Sequence, residues 1–369
     1  MRICLYTNTI YKIGGVARVT TFMANHWSKE HDITIISTNP DYEPKDLVYT
    51  LSDQIHTLHD PELFIHDESF SLEKHSNRKL KQFIDAHDFD IIIGVEGKYA
   101  IALSSALTEF KGVKCAWMHN SFDAYFKTEG EYLWHLDTPF IQAMAMYDFV
   151  VVLTNKDKEK FDAHFNLNTT CIVNPITFDI IEPQYNPDSK QLLTVCRVVF
   201  KHKGLDLFLE TLPNVFNKHP DWTWHLVGDG PDLEALKTQV SLMNLENNIV
   251  IHGATDNVRP YYEAASIFVL PSRWEGMPMV SLEAMSFALP LVGFDIDALK
   301  EVLGEDLEQQ LLVKKYDKHA LAHRINTLIE DKVYRSELAI LASKRVEHFT
   351  LETVATNWDT LFSRNNSSS

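Results

Sequence analysis

Two glutamates in the stretch RWEGMPMVSLEAM (273–285) have the residue type and spacing to hold one polar ligand. Glu275 follows an apolar run that reads as a buried strand, and Glu283 comes eight positions later, in a helical pattern opened by Pro278. Five residues separate Pro278 from Glu283, so Glu283 is expected in the second helical turn. Carboxylates only accept hydrogen bonds, so the pair is suited to neighbouring hydroxyl groups of a sugar.

The residues between the two acids add backbone groups to this candidate site. Gly276 permits a tight loop, and Met277 and Met279 can donate their N–H groups to an anion or an oxygen atom near the helix start. Pro278 has no N–H to donate. We therefore include Gly276, Met277, Pro278 and Met279 in the predicted binding loop.

Two cations follow the first strand of the second half of the chain, in CRVVFKHKG. Arg197 lies at the strand end and Lys203 precedes Gly204. Arginine offers a forked, permanent charge and lysine a mobile point charge, so together they can bind a diphosphate. A solvated basic loop is the open alternative.

Glycines mark two further turns from strand to helix. Gly14 and Gly15 in TNTIYKIGGVARV would let the backbone approach a ligand at a helix start, although no complete dinucleotide or P-loop fingerprint is present. Gly228 begins the turn GDGP before another helix, where Asp229 could simply cap that helix. A plain structural turn is the alternative at both places.

His119 ends the apolar run VKCAWM in the first half of the chain. A single histidine is more often structural than functional, but its place at a strand end favours a functional role.

Short apolar strands alternate with amphipathic helices through both halves. Such near-continuous runs predict two parallel sheets, covered by helices on both faces, and therefore an α/β fold of two doubly wound, Rossmann-like domains whose ligand binds in the cleft between them. The predicted strands are residues 2–8, 32–37, 90–95, 113–118, 148–154 and 170–174 in the first half, and 192–197, 223–228, 248–253, 266–271 and 289–294 in the second.

We predict five segments: an N-terminal domain (1–178), a linker (179–190), a C-terminal domain (191–348), a final helix crossing back to the first domain (349–364) and a disordered tail (365–369).

Composition excludes several classes of partner. The formal net charge of −17 disfavours nucleic acid and broad adhesion to anionic membranes. The four scattered cysteines have neither metal-ligand nor redox spacing, and no metal site is predicted. The N-terminus lacks a signal-peptide pattern and no apolar run reaches membrane-span length, so a cytoplasmic location is expected. The basic helix KHSNRKLKQFI (74–84) leaves open a peripheral contact of the N-terminal domain with the inner face of the plasma membrane.

In order along the chain, TIYKIGGVARV, VVLTNKDKEKF, VNPITF, CRVVFKHKG, LVGDGPDLEAL and the pair of glutamates separated by seven residues resemble the retaining GT-B glycosyltransferases of the "glycosyl transferases group 1" family. That family includes many bacterial polysaccharide and lipopolysaccharide enzymes. The resemblance covers nearly the whole chain. It departs at Asn120, where an acid is common, and at Cys196, where glycine is common.

The resemblance implies that the N-terminal domain (1–178) binds the acceptor and that the C-terminal domain (191–348) binds a nucleotide sugar. It also implies a role for each candidate residue. Glu283 would bind the ribose hydroxyls of a nucleotide diphosphate sugar, most often UDP-linked, and Glu275 the transferred sugar. Arg197 and Lys203 would neutralise the departing diphosphate, with the Gly15 N–H on the distal phosphate. His119 would lie near the donor sugar. No cofactor is implied beyond the donor substrate, and the acceptor would be a glycan or a lipid-linked glycan.

The resemblance also implies metal-independent transfer with retention of anomeric configuration, in which the departing phosphate helps to deprotonate the acceptor. The sequence disfavours three alternative functions. A nucleotide-sugar epimerase is disfavoured by the complete set of paired glutamates and Lys203, and a glycan phosphorylase would need a pyridoxal lysine and a longer chain. A non-catalytic sugar-nucleotide-binding module predicts damage to the charged residues, and none is seen.

Overall fold

A computed structural model of the chain describes residues 1–64, 78–178 and 185–363. These residues form two units, Met1–Thr177 with Leu351–Ser369, and Phe178–Thr350. Within the described ranges, no helix is long and apolar enough to span a lipid bilayer.

The strands of the described residues are β1 (Arg2–Thr7), β2 (Asp32–Ser37), β3 (His56–His59), β4 (Ile91–Val95), β5 (Val113–Trp117), β6 (Phe149–Val152), β7 (Thr170–Cys171), β8 (Gln191–Val195), β9 (Thr223–Val227), β10 (Ile249–Gly253), β11 (Ile267–Leu270), β12 (Leu291–Phe294) and β13 (Leu312–Val313).

The α-helices are α1 (Gly15–Trp27), α2 (Arg78–Asp85), α3 (Gly97–Ser104), α4 (Phe122–Phe126), α5 (Asp137–Met144), α6 (Asn155–Phe165), α7 (Phe200–Lys203), α8 (Leu205–Thr211), α9 (Pro213–Phe216), α10 (Leu233–Leu242), α11 (Arg259–Ala264), α12 (Met279–Ser286), α13 (Asp297–Leu303), α14 (Glu305–Leu311), α15 (Lys318–Glu330), α16 (Lys332–Arg345) and α17 (Leu351–Ser363). Short 3-10 helices cover Pro44–Asp46, Pro61–Leu63 and Val346–Phe349.

The sheet of the first unit has the order β3-β2-β1-β4-β5-β6-β7, and all its strands are parallel. From β1 the chain adds β2 and β3 on one side, and β4 then pairs with the other side of β1. The connections at the carboxyl ends of β1 and β4 therefore diverge, which opens a crevice at that point of the sheet edge.

The sheet of the second unit repeats this plan with the order β10-β9-β8-β11-β12-β13, again all parallel. β8 pairs with β9 on one side and β11 on the other, so the order reverses between β8 and β11. The predicted α/β class with two doubly wound sheets is confirmed.

Every predicted strand overlaps an observed one, but β3 and β13 were not predicted. β3 has the sequence HTLH, without the apolar run that marks a buried strand, and it lies at the sheet edge. β13 contains only Leu312 and Val313 and is likewise an edge strand. Edge strands need less apolar burial, so sequence patterns signal them weakly.

The predicted linker 179–190 is described only from residue 185 onwards, and that part packs on the second unit. Tyr185 Oη donates to the Ser266 carbonyl at 3.1 Å, and Arg335 Nη2 donates to the Pro187 carbonyl at 2.7 Å. The predicted tail 365–369 lies outside the described residues.

The basic helix is described from Arg78, and its lysines are paired with acids. Lys79 Nζ lies 2.7 Å from both Asp60 and Glu62 carboxylates. Lys81 Nζ lies 2.9 Å from Asp85 and 2.7 Å from Glu109. These lysines therefore do not form an uncompensated basic patch.

Helix α17 packs into the first unit through three buried tryptophans. Trp358 lies edge-on to Trp27, with ring centroids 5.5 Å apart, and to Trp117 at 5.0 Å. All three side chains are at most 2% exposed. The last helix thus completes the core formed by α1 and β5.

We expect Trp358→Ala to lower the free energy of unfolding of the transition involving the first unit by about 3–5 kcal/mol, because it leaves a large cavity between two other tryptophans. Urea unfolding followed by circular dichroism measures this change. The exposed neighbour Asn357 provides the control, since Asn357→Ala removes no buried contact. A loss below about 1 kcal/mol for Trp358→Ala would show that α17 contributes little to this core.

Candidate functional site

Three loops of the second unit follow the carboxyl ends of neighbouring strands β9, β8 and β11. At Gly228 and Gly230 the backbone of the loop after β9 lies so close to the loop after β8 that no side chain fits between them. A Cβ on Gly228, whose φ is +144°, would lie 1.8 Å from the Cys196 carbonyl oxygen, and one on Gly230 would lie 2.3 Å from that of Val198. The predicted glycine turn therefore holds the loop after β8 in place.

The loops after β8 and β11 meet through a buried ion pair between Lys203 and Glu275. Lys203 Nζ lies 2.6 Å from Glu275 Oε1, and the Ser272 hydroxyl donates to the same oxygen at 2.6 Å. Glu275 is 7% exposed. The structure thus brings together two predicted site residues from different motifs.

Glu275 is held in its ionised form. Burial on its own raises the pKa of this carboxyl group, but the charges of Lys203 and His202 and their hydrogen bonds outweigh that effect and hold the pKa well below its usual range. The site therefore presents a fixed negative charge next to a fixed positive one.

His202 belongs to this cluster and was not predicted. Its Nε2 donates to the Trp274 carbonyl at 2.9 Å, since a carbonyl can only accept, and lies 3.7 Å from Glu275 Oε2. Its ring stacks on Trp274, with centroids 4.9 Å apart. Its position beside Lys203 was the only signal in the sequence.

Arg273 fixes the short helix α7 that carries these residues. Its guanidinium donates to both carboxylate oxygens of Asp206, at 2.8 and 2.6 Å, and to the Phe200 carbonyl. Gly204, with φ +66°, ends α7 where a Cβ would lie 2.0 Å from the Pro271 carbonyl oxygen. This close approach brings Lys203 against the β11 loop.

Glu283 lies in the second turn of α12, as predicted, and is 1% exposed. The Tyr262 hydroxyl donates to its Oε2 at 2.8 Å. Tyr262 itself stacks on Phe287, with ring centroids 5.4 Å apart and nearly parallel planes. A buried carboxylate with a fixed orientation can select a ligand by the positions of its hydroxyl groups.

The predicted binding loop is buried together with the two acids. Gly276 and Pro278 are buried, Met277 and Met279 are each 6% exposed, and α12 begins at Met279 directly after Pro278.

Arg197 is placed differently from its predicted partner in the diphosphate clamp. Its side chain is exposed just beyond β8, whereas Lys203 is paired with Glu275. Within the described ranges, Arg197 has no ion pair, so its guanidinium is available to an anion.

In the first unit, the Gly14-Gly15 turn begins α1 after β1. Gly14 N donates to the Tyr49 hydroxyl at 3.0 Å, and Gly15, the first helical residue, is exposed. The N-terminus of α1 therefore has the exposed backbone that an anion site requires.

His119 lies beyond the end of β5, 7% exposed, with its ring 4.4 Å from that of Trp117. Burial lowers the pKa of His119 to about 3. Its Nε2 has no hydrogen-bond partner among the described residues. A buried ring nitrogen in this condition is suited to a ligand hydroxyl group.

Glu96, an acid that was not predicted, directly follows β4, next to the strand that leads to His119. Its φ of 80° is rare for any residue with a side chain. The Tyr125 hydroxyl donates to Glu96 Oε1 at 2.5 Å, and the Asn120 amide donates to the same oxygen at 3.2 Å. The sequence signal was an acid followed by glycine, Glu96-Gly97, directly after an apolar run; Glu275-Gly276 is the same pair in the loop after β11.

No group of three or more histidine, cysteine or acidic side chains is arranged to hold a metal ion in the described part of the chain. The four cysteines in that part form no disulfide bond.

Comparisons with known families match both halves of the chain. The profile described as "Glycosyltransferase Family 4" matches residues 13–179, and the one described as "Glycosyl transferases group 1" matches residues 189–331. Both candidate clusters fall within these matches.

Two curated relatives align over nearly the full length, and a third over about a third of it. An uncharacterised glycosyltransferase of Haemophilus influenzae is 26% identical over 97% of this chain and 98% of its own. The GalNAc-α-(1→4)-GalNAc-α-(1→3)-diNAcBac-PP-undecaprenol α-1,4-N-acetyl-D-galactosaminyltransferase of Campylobacter jejuni is 23% identical over 94% of each chain. The lipopolysaccharide core mannosyltransferase LpsB of Rhizobium meliloti is 32% identical, but over 35% of this chain and 39% of its own.

Solved structures share the architecture at low identity. The sucrose-phosphate synthase of Thermosynechococcus elongatus superposes with a TM-score of 0.83, at 18% identity over all of both chains. A mutant of S. aureus TarM bound to fondaparinux, α-GlcNAc-glycerol and UDP gives 0.78, at 14% identity over 98% of this chain and 99% of its own. On the two profiles, the full-length relatives and this shared architecture, the chain belongs to the group 1 glycosyltransferases and has the GT-B fold.

Proposed function

We propose that the protein is a retaining glycosyltransferase that moves a hexose or N-acetylhexosamine from a nucleotide diphosphate sugar to a glycan or lipid-linked glycan. The observation that carries this proposal is the buried cluster of Lys203, Glu275, Ser272 and His202 at the switch point of the second sheet. Such a switch point is where doubly wound folds bind their ligands.

The cluster offers what departure of a nucleotide diphosphate requires. Breaking the anomeric C–O bond places negative charge on the leaving diphosphate, and cations already in position stabilise that charge without reorganisation. Lys203 is held 2.6 Å from Glu275. The exposed Arg197 lies just beyond the end of β8, the strand that precedes Lys203. The proposal assigns charge stabilisation to these side chains rather than to a metal ion, with the departing phosphate as the group that helps deprotonate the acceptor.

Glu275 and Glu283 would divide the recognition of the donor. Glu275 carries a permanent negative charge and would accept hydrogen bonds from the sugar, whereas Glu283, fixed by Tyr262, would accept those of the ribose. For the first unit, the proposal retains the roles that the resemblance implies for the Gly15 N–H and His119.

The donor and acceptor are proposed from the relatives. UDP is bound in the structures of S. aureus TarM and of HepE from Anabaena, and a UDP-linked sugar is the donor we propose. The C. jejuni relative acts on a glycan linked to PP-undecaprenol, and other relatives serve amylovoran and lipopolysaccharide core synthesis. We therefore propose a role in bacterial surface polysaccharide synthesis, by an enzyme of the cytoplasm that reaches a lipid-linked acceptor at the inner face of the plasma membrane.

Lys203→Ala should lower the rate of UDP release from the preferred UDP-sugar about 10²- to 10³-fold, because it removes the cation nearest the proposed leaving group. A coupled assay for released UDP over a panel of UDP-sugars measures this rate. Lys201→Ala, which removes an exposed cation from the same short helix, should change it less than about twofold. A folded Lys203→Ala protein with the wild-type rate would exclude the assigned role.

Glu283→Ala should weaken UDP binding about 10- to 100-fold, because hydrogen bonds to a charged group contribute about 1.5–3 kcal/mol. Calorimetric titration with UDP and with 2′,3′-dideoxy-UDP separates ribose recognition from other losses. Wild type should prefer UDP, and the variant should bind both alike. Glu263→Ala, on the neighbouring helix α11, is the control acid; if Glu283→Ala retained the preference for UDP, Glu283 would not bind the ribose.

His119 should remain neutral in the working pH range and act only through hydrogen bonds, since burial lowers its pKa to about 3. The unfolded chain takes up this proton below about pH 6.5, whereas the folded chain does not. The free energy of unfolding therefore decreases as the pH is lowered from about 6.5 to about 3. Relative to His119→Phe, wild type should lose about 2 kcal/mol more between pH 7 and pH 5. Urea unfolding at both pH values measures this, and equal losses would contradict a buried neutral histidine.

A further inference from the structure

We infer that Glu96 binds a hydroxyl group of the acceptor, and that Asn120 and Tyr125 position its carboxylate. The inference rests on the proposed function, because it assigns the alcohol-binding residue of the same reaction. It concerns the first unit alone and uses none of the groups assigned to the donor in the second.

Glu96 lies next to the point of the first sheet where the strand order reverses. It directly follows β4, which pairs with β1 at the point where the strand order reverses. The Gly14-Gly15 turn follows β1 across the same crevice, and His119 follows β5 on the other side of β4. Glu96 therefore lies at the position where a doubly wound sheet binds its ligand.

The backbone of Glu96 has a strained conformation. Its φ of 80° and ψ of 148° fall in a region populated almost only by glycine. Glu96 N nevertheless donates to the Trp117 carbonyl at 2.8 Å, and Gly97 fits where a Cβ would lie 2.8 Å from Leu133. Strained residues of this kind concentrate at ligand sites, because a position needed only for the turn would accept glycine.

The hydrogen bonds fix one oxygen of the carboxylate and leave capacity on the other. Oε1 accepts from the Tyr125 hydroxyl at 2.5 Å and the Asn120 amide at 3.2 Å. Oε2 accepts only a long bond of 3.4 Å from Lys98 N, as far as the described residues go. An ionised carboxylate has acceptor sites only, so Oε2 is suited to a ligand O–H.

The surroundings of Tyr125 connect Glu96 to His119. The backbone N–H groups of His119 and Asn120 both donate to the Tyr125 hydroxyl at 3.2 Å, and Tyr125 then donates to Glu96. His119 Nε2 is buried and lacks a partner among the residues described. One ordered network thus holds two groups with unused hydrogen-bonding capacity, as a polyol ligand would require.

The hydrogen bond to Glu96 gives a physical reason for an asparagine at position 120. An aspartate there would place a second negative charge beside Glu96, whereas the asparagine amide donates to it.

The test compares Glu96→Gln with wild type in two UDP-release assays. One contains the preferred UDP-sugar and water alone, and the other adds a panel of alcohols: glycerol and the methyl α-glycosides of glucose, galactose, mannose and N-acetylglucosamine. We expect the variant to lose at least about tenfold in kcat/KM for the stimulating alcohol, and clearly more than it loses in water-dependent release. Tyr125→Phe should show an intermediate loss.

Glu96→Gly separates binding from folding. Glycine adopts this backbone conformation without strain, so the variant should fold, as thermal unfolding checks, while it abolishes stimulation by the alcohol. The inference is overturned if Glu96→Gln is stimulated as wild type is, if no alcohol of the panel stimulates wild type, or if Glu96→Gln loses water-dependent release in parallel. An absence of UDP release by wild type in water would instead count against the proposed function.

Discussion

A buried ion pair, Lys203 with Glu275, sets the constraint on which the second unit depends. The two side chains are only 15% and 8% exposed, and an unpaired ion that is largely withdrawn from water is costly. The chain therefore needs β8 and β11 side by side, a helix end at Gly204 close to the Pro271 carbonyl, and Arg273 tied to Asp206. Each feature keeps two loops in register that are far apart in sequence.

The two units reach their polar sites by the same device. In both, an acid followed by glycine lies in the loop after a buried parallel strand, Glu96-Gly97 after β4 and Glu275-Gly276 after β11, next to the point where the strand order reverses. The strands supply rigidity through apolar burial, and the loops that follow them carry the acids. Hydroxyl donors of Tyr125 and Ser272 then orient the two carboxylates. A rigid edge with a few oriented oxygens is well suited to ligands rich in hydroxyl groups.

Sequence patterns predicted what depends on local composition and missed what depends on contacts. Buried strands such as β4 and β11 are apolar runs, and Glu283 follows Pro278 by a fixed helical count, so both were predicted. The pairing of Lys203 with Glu275 was not, because it depends on strand order between residues 72 positions apart. Glu96 was not predicted as a site residue, because it is distinguished by a φ angle of 80° that its residue type does not encode.

The docking of α17 has a consequence for how the protein is made. The first unit is discontinuous: its core includes Trp358, which is synthesised only after the whole of Phe178–Thr350. On the ribosome, the second unit can therefore complete its fold while the first still exposes Trp27 and Trp117. Synthesis of the last helix becomes the event that closes the N-terminal core, so a truncated chain would present an open aromatic surface to chaperones and proteases.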